Sequence, residues 1–187
     1  MVFLDFAAAG LAVGLVLGGS VGNLGRLRVR WLSLAYVGLG LQVLAFPSGL
    51  LPWTVSTAAA RILWLLSYVA LGALVLRNAR LPGIAIIGVG QVCNLAAITA
   101  NGGDMPVTRG ALTSLGVEYH RHNNSVLAPH PHLSWLIDRW AVPEWLPLGN
   151  VYSVGDVIIG IGLVVAIVVA MRPRLPGRRA PAGTTSP

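Results

Sequence analysis

Three ionisable side chains stand inside long apolar runs of this sequence: Asp5, Arg61 and Asp156. A charge in nonpolar surroundings is costly unless it is paired or serves a ligand, so such positions mark candidate sites. Asp156 closes the motif Tyr152-Ser153-Val154-Gly155-Asp156. In it, Ser153 can cap a helix and Gly155 can admit a neighbouring backbone. A second motif, Asn101-Gly102-Gly103-Asp104-Met105-Pro106-Val107, lies upstream. Its glycines permit tight or left-handed backbone, Pro106 stiffens the exit, and Asn101 can cap a helix end or bind a ligand. The expected ligand-binding set is therefore Asn101, Gly102, Gly103, Asp104, Ser153, Asp156 and Arg61, with Asp156 as the floor of a cavity and the 101–107 turn as its roof. Arg61 and Asp156 fall at matching depths in their runs, so the arginine is expected to pair with Asp156, with Asp5 as the second choice.

Other chemistries are less well provided for. His120, His122, His130 and His132 form two H-x-H pairs. Alternating imidazoles can share zinc or copper, but Arg121 adds a positive charge, Pro131 restrains the second pair, and no cysteine stands nearby. These histidines are weak metal candidates, and a solvated loop is the preferred reading. Gly18-Gly19-Ser20-Val21-Gly22 matches G-x-S-x-G without the strand–turn–helix setting that a nucleophile elbow requires. Gly88-Val89-Gly90 lacks the rest of a dinucleotide fingerprint. The chain has no lysine, which removes Schiff-base and P-loop chemistry. Its single cysteine, Cys93, leaves no internal disulfide or C-x-x-C pair. Nothing in the sequence calls for a cofactor.

The elements that must position these residues are apolar helices. Hydrophobic residues make up 55% of the 187 and charged residues 10%, with a mean hydropathy of +0.74. Soluble domains carry about 25% charged residues. Five windows approach the length of about 20 residues that crosses a bilayer: 2–21, 31–51, 56–76, 81–100 and 151–171. In the second, Pro47, Ser48 and Gly49 should end the helix near Phe46. The fold class expected is an all-α integral membrane bundle of five transmembrane helices over residues 1–171, with a partly helical extracytoplasmic loop at 101–150. A disordered basic tail, 172–187, follows.

Arginines fall on alternate connections: Arg26, Arg28 and Arg30; Arg77 and Arg80; then Arg172, Arg174, Arg178 and Arg179. Basic short loops stay in the cytoplasm, which puts the N-terminus outside and the C-terminus inside. Gly10, Gly14, Gly18 and Gly22 repeat every four residues and offer a smooth stripe for close packing, here taken as internal to the bundle. Gln42, Gln91 and Asn94 read as interhelical hydrogen-bonding amides, with Gln91 and Asn94 able to line the inner end of the cavity. In the outer loop, Leu133, Leu136, Ile137 and Trp140 have helical spacing. They predict a short amphipathic helix on the membrane surface, beside an aromatic belt of Trp53, Trp135, Trp140 and Trp145. A second short helix is expected over 108–115.

The two polar motifs also resemble, as N-G-G-x-M-P-V followed by S-x-G-D, a family of small multi-pass bacterial membrane proteins of unknown function. The basic first connection and the Leu136–Asp138 step before Pro143 extend the resemblance over nearly the whole chain. It implies a bacterial inner-membrane location and the same fold, and it brings no assigned activity. The histidine-rich 120–132 stretch departs from the family, so no histidine role is carried over.

The leading functional reading is non-enzymatic: an outer-facing polar pocket that binds a small polar or lipid-head-group ligand, with transport as one use of it. The alternative is an accessory subunit of a membrane complex. The third is a membrane-embedded, metal-assisted enzyme using Asp156 with the loop histidines or Asp138. The expected partners are the lipid bilayer and either the small ligand or another membrane protein. The basic pI of 11.1 reflects connection arginines rather than a nucleic-acid surface, so no nucleic acid is expected.

Overall fold

The computed structural model describes residues 2–46, 55–114, 121–122, 125–142 and 150–172. The described chain is mostly helical, and each of the five apolar windows contains a helix. These are α1 (Val2–Val16), α2 (Ser33–Ala45), α3 (Thr57–Asn78), α4 (Ile84–Ala100) and α6 (Val154–Met171), with a short α5 (Arg109–Ser114) between the last two. Among the described residues, only α3 and α6, at 22 and 18 residues, are long and apolar enough by themselves to cross a membrane. The other three apolar helices have 15, 13 and 17 residues. The window over 172–187 lies outside the described residues after Arg172.

Helix ends follow local chemistry. Ser56 accepts a hydrogen bond from the Ala59 amide and starts α3. Ser153 and Asp156 form a reciprocal capping box that starts α6. The α2 helix stops at Ala45 with Phe46 as its cap, where the approaching Pro47 forbids another turn. The α4 helix ends at Asn101, and Gly102 and Gly103 follow at φ +73° and +93°, a left-handed exit that only glycine adopts freely.

The helices pack in the order α1–α6–α4–α3–α2. Glycines set the closest approach. A Cβ on Gly90 would stand 2.5 Å from the Gly155 carbonyl oxygen, and one on Gly162 would stand 2.7 Å from that of Gly83. Two glycines seven residues apart on each helix thus let α4 and α6 touch backbone to backbone. On the other side of α6, Gly10 meets Val164 and Ile167, and Gly14 meets Met171. The expected stripe on the first window is half realised. Gly18 has left the helix with φ +75°, and a Cβ added at Gly18 or Gly22 would meet no other helix within 4 Å.

Arginine-bearing connections gather at one end. The Asn78 side chain accepts from the Arg30 amide and donates to its carbonyl. Arg77 stacks over the Trp31 ring. Arg26, Arg28 and Arg172 line one cavity of about 540 Å³.

At the opposite end a small cap forms from the described residues between 101 and 152. Its β1 (Met105–Val107) pairs in parallel with β3 (Ser125–Leu127), which pairs antiparallel with β2 (Arg121–His122). A hairpin-like pair, β4 (Trp140–Val142) and β5 (Asn150–Tyr152), leads directly into α6. The 108–115 expectation is met by α5. The amphipathic helix expected over 133–140 does not form. Leu133 takes φ +51°, Asp138 bridges to Val107 beside β1, and Trp140 belongs to β4. The tether over 132–136 is a run of turns that ends in the Asp138 bridge, and Leu136 and Ile137 are buried just before it, Leu136 in the core cluster with Trp64, Ile98 and Met105. Trp53 and Trp145 lie outside the described residues.

Candidate functional site

Beneath the cap, between the α2–α3 pair and the α4–α6 pair, lies a cavity of about 460 Å³. Its polar lining comes from five separate places: Gln42 of α2, Tyr68 of α3, Gln91 and Asn94 of α4, Ser125 and Asp138 of the cap, and Asp156 of α6. Aromatic and aliphatic side chains, among them Phe46, Trp64 and Met105, complete the wall.

Asp156 is held by its own helix start and by α4. Its carboxylate accepts from the Asn94 amide nitrogen at 2.8 Å and from the Ser153 amide at 3.0 Å. The Ser153 hydroxyl, fully buried, lies 3.0 Å from the Asp156 carboxylate and 2.8 Å from the Asn94 side-chain oxygen, and its single proton can serve one of them at a time. Gly155 is the reason Asn94 can reach this position, since a Cβ there would overlap the Asn94 side-chain oxygen. The S-x-G-D motif thus encodes a cap, a gap and an anchored acid.

Asp138 enters from the cap. Its backbone donates to the Pro106 carbonyl at 3.0 Å and accepts from the Thr108 amide at 2.9 Å, which fixes the tether along β1. Its side chain is 4% exposed, and one carboxylate oxygen accepts from the Ser125 hydroxyl. The other oxygen has no hydrogen-bond donor among the described residues. Burial pushes the Asp138 carboxyl up to about 7, the Ser125 hydrogen bond opposes this by favouring the anion, and the nearby Asp156 charge adds to it.

Arg61 corrects an expectation. It pairs with Asp104 at 2.5 Å and not with Asp156 or Asp5. Matching depth along two helices says nothing about which faces meet, and α4 stands between α3 and α6 in the packing order. Arg61 instead crosses Gly103, whose missing side chain leaves room for the arginine stem, to reach the next residue of the turn. Asp5 is exposed in the first turn of α1.

Asn101 serves as a clamp. Its amide donates to the Ala97 carbonyl at the end of α4 and to the His132 carbonyl, and its side-chain oxygen accepts from the His132 amide. The expected set therefore divides. Asp156 lines the cavity, with Ser153 hydrogen-bonded to it. Asn101, Gly102, Gly103, Asp104 and Arg61 build and brace the turn that supports the roof, and that turn reaches the cavity only through Met105. Gln91 and Asn94 line the cavity as expected, and Gln42 lines it while donating to Ser67 across α2 and α3. Ser125, Trp64 and Tyr68 were not singled out by sequence; no local motif marks them, because their place depends on how the helices and cap assemble.

Of the weak metal candidates, His120 lies outside the described residues, and His122 is described only as backbone in β2. Among the described residues no group of three potential metal ligands is gathered.

The arrangement is that of a helical protein with a capped, carboxylate-lined internal cavity. The chain belongs to the family of unknown function DUF5317, whose profile matches residues 26–168. An uncharacterized protein of Thermotoga maritima is 32% identical over 151 residues, which cover 78% of this chain and 83% of that protein. No solved structure matches.

Proposed function

We propose that this protein spans the bacterial inner membrane five times, N-terminus outside, and binds a small polar molecule or lipid head group in the cavity beneath its outer cap. The observation that carries the pocket is the meeting of Asp138 and Asp156, from the cap and from α6, in one cavity. Two acids brought together from separate elements, each held by its own hydrogen bonds, suit binding better than bundle locking alone.

Membrane placement rests on an inside-out distribution of polarity. Ser67, Asn78, Asn94 and Ser153 are buried, while Val69, Leu76, Val89 and Val92 point outward from α3 and α4. In water that exposure would be a large apolar patch; in lipid it is the expected surface. The convergence of Arg26, Arg28, Arg30, Arg77 and Arg172 at one end, away from the cap, supports that orientation. The short helices α1, α2 and α4 cross with help from flanking turns and local thinning of the bilayer.

Cysteine accessibility tests the orientation. In a Cys93→Ala background, an impermeant maleimide should label Ser114→Cys on intact cells and label Arg28→Cys only after permeabilisation. The opposite pattern would invert the topology and place the cavity on the cytoplasmic side. Thermal protection tests the pocket. In neutral maltoside micelles, at least one member of a panel of amines, polyols and amino acids should stabilise the wild type and fail to stabilise Asp156→Asn. The variant itself should insert and accumulate normally, because asparagine still fits beside Asn94. A panel without any stabilising member would remove the binding role.

A further inference from the structure

We propose that the cavity takes an amphipathic organic cation, an ammonium group between Asp138 and Asp156 with its apolar substituent beside Phe46, Trp64 and Tyr68. This rests on the pocket reading above and specifies the charge that the ligand carries.

Charge selects the ligand first. The described lining has two carboxylates and no basic side chain, and Arg61 is engaged by Asp104 outside the cavity. A phosphate or carboxylate ligand would bring a further negative charge to a site without a counter-ion. Asp138 supplies an independent pointer. A buried carboxylate ordinarily collects several donors, yet this one has a single hydroxyl and an oxygen with no donor among the described residues. The Gln91 amide also lines the cavity and makes no hydrogen bond among the described residues. These are groups that a donor-bearing cation would satisfy.

The aromatic wall selects its shape. The Phe46 and Trp64 rings meet edge to face at 5.4 Å, and Trp64 and Tyr68 meet at 6.1 Å with 62° between their planes. Non-parallel rings around one cavity offer both apolar contact and the negative ring quadrupole that favours alkylammonium groups. A bare metal ion is a poor fit. Hard cations take about six or more oxygen ligands within roughly 2.6 Å, whereas the 460 Å³ volume is that of an organic ligand's pocket.

The test uses benzylammonium, whose nitrogen carries three donors, and its neutral carbon isostere ethylbenzene against the full-length protein in neutral maltoside micelles, read by tryptophan fluorescence and thermal shift. The cation should saturate and stabilise, and the isostere should do neither at matched concentration. Asp138→Asn and Asp156→Asn should each weaken cation binding by about tenfold or more. Asp5→Asn, at an exposed carboxylate outside the cavity lining, should leave the affinity unchanged while confirming that the micellar protein is intact. If a neutral polyol stabilises the wild type and the cation does not, the pocket stands and its cation selectivity falls. Equal binding of the cation to the wild type and both cavity variants also overturns it. If no solute binds at all, the pocket reading falls with it.

Discussion

Replacing Gly155 with valine should break the contact between α4 and α6 and cost about 3 kcal/mol or more. Overfilling a packed site typically costs 1–3 kcal/mol through displaced side chains and backbone, so about 3 kcal/mol marks the upper end of that range. Gly155 belongs there because its neighbours cannot yield cheaply. A Cβ would overlap the Asn94 side-chain oxygen and stand 2.8 Å from the Gly90 carbonyl oxygen. Moving Asn94 aside breaks its hydrogen bond to Asp156 and its contact with the buried Ser153 hydroxyl. Moving the helices apart instead opens the seam that continues at Gly83 and Gly162. Unfolding in mixed micelles, followed by tryptophan fluorescence, measures the loss. Gly72→Val is the matched control, because a Cβ at Gly72 meets nothing within 4 Å. Equal stability of the two variants would show that α4 and α6 do not pack through these glycines.

Much of the architecture was written in local patterns, and the failures share a physical cause. Apolar runs located every long helix, Pro47 placed the end of α2, and Ser153 announced the start of α6. These are decisions made within a few residues. Arg61 was assigned the wrong acid because a linear reading gives depth along a helix but neither the direction a side chain faces nor the order in which helices pack. The 133–140 tether has helical spacing, yet only Leu136, Ile137 and Asp138 of it are buried, where the tether bridges to Val107 of β1, a contact the spacing cannot express. The strands β1–β5 are two or three residues long, too short for an alternating pattern to emerge. The glycine seam of α4 and α6 repeats at seven residues, a weaker signal than the four-residue stripe of α1, half of which faces no helix. Asp138 carried one usable sign: an acid directly after Leu136 and Ile137, two apolar residues that a folded cap would cover.

The same burial makes Asp138 the source of a pH-dependent stability with a definite sign. Its carboxyl titrates at about 7 in the folded protein, where desolvation opposes the anion most, Ser125 partly restores it, and the Asp156 charge adds to the rise. A free aspartate titrates near 3.9, so between these values the folded state binds the proton more tightly than the unfolded state. Stability contributed by this proton is complete below about pH 4, falls as pH rises through about 7, and then levels off. The gap between the two values sets a ceiling of about 4 kcal/mol, which solvent entering the cavity will reduce. Wild type should therefore unfold at a higher temperature at pH 5 than at pH 8, and Asp138→Asn should lose most of that difference by keeping a neutral side chain at both. Ser125→Ala removes the hydrogen bond that favours the anion, so the decline should extend to higher pH. A wild type that is more stable at pH 8, or an Asp138→Asn variant with an unaltered pH profile, would mean that Asp138 is solvated and that the cap does not close over it.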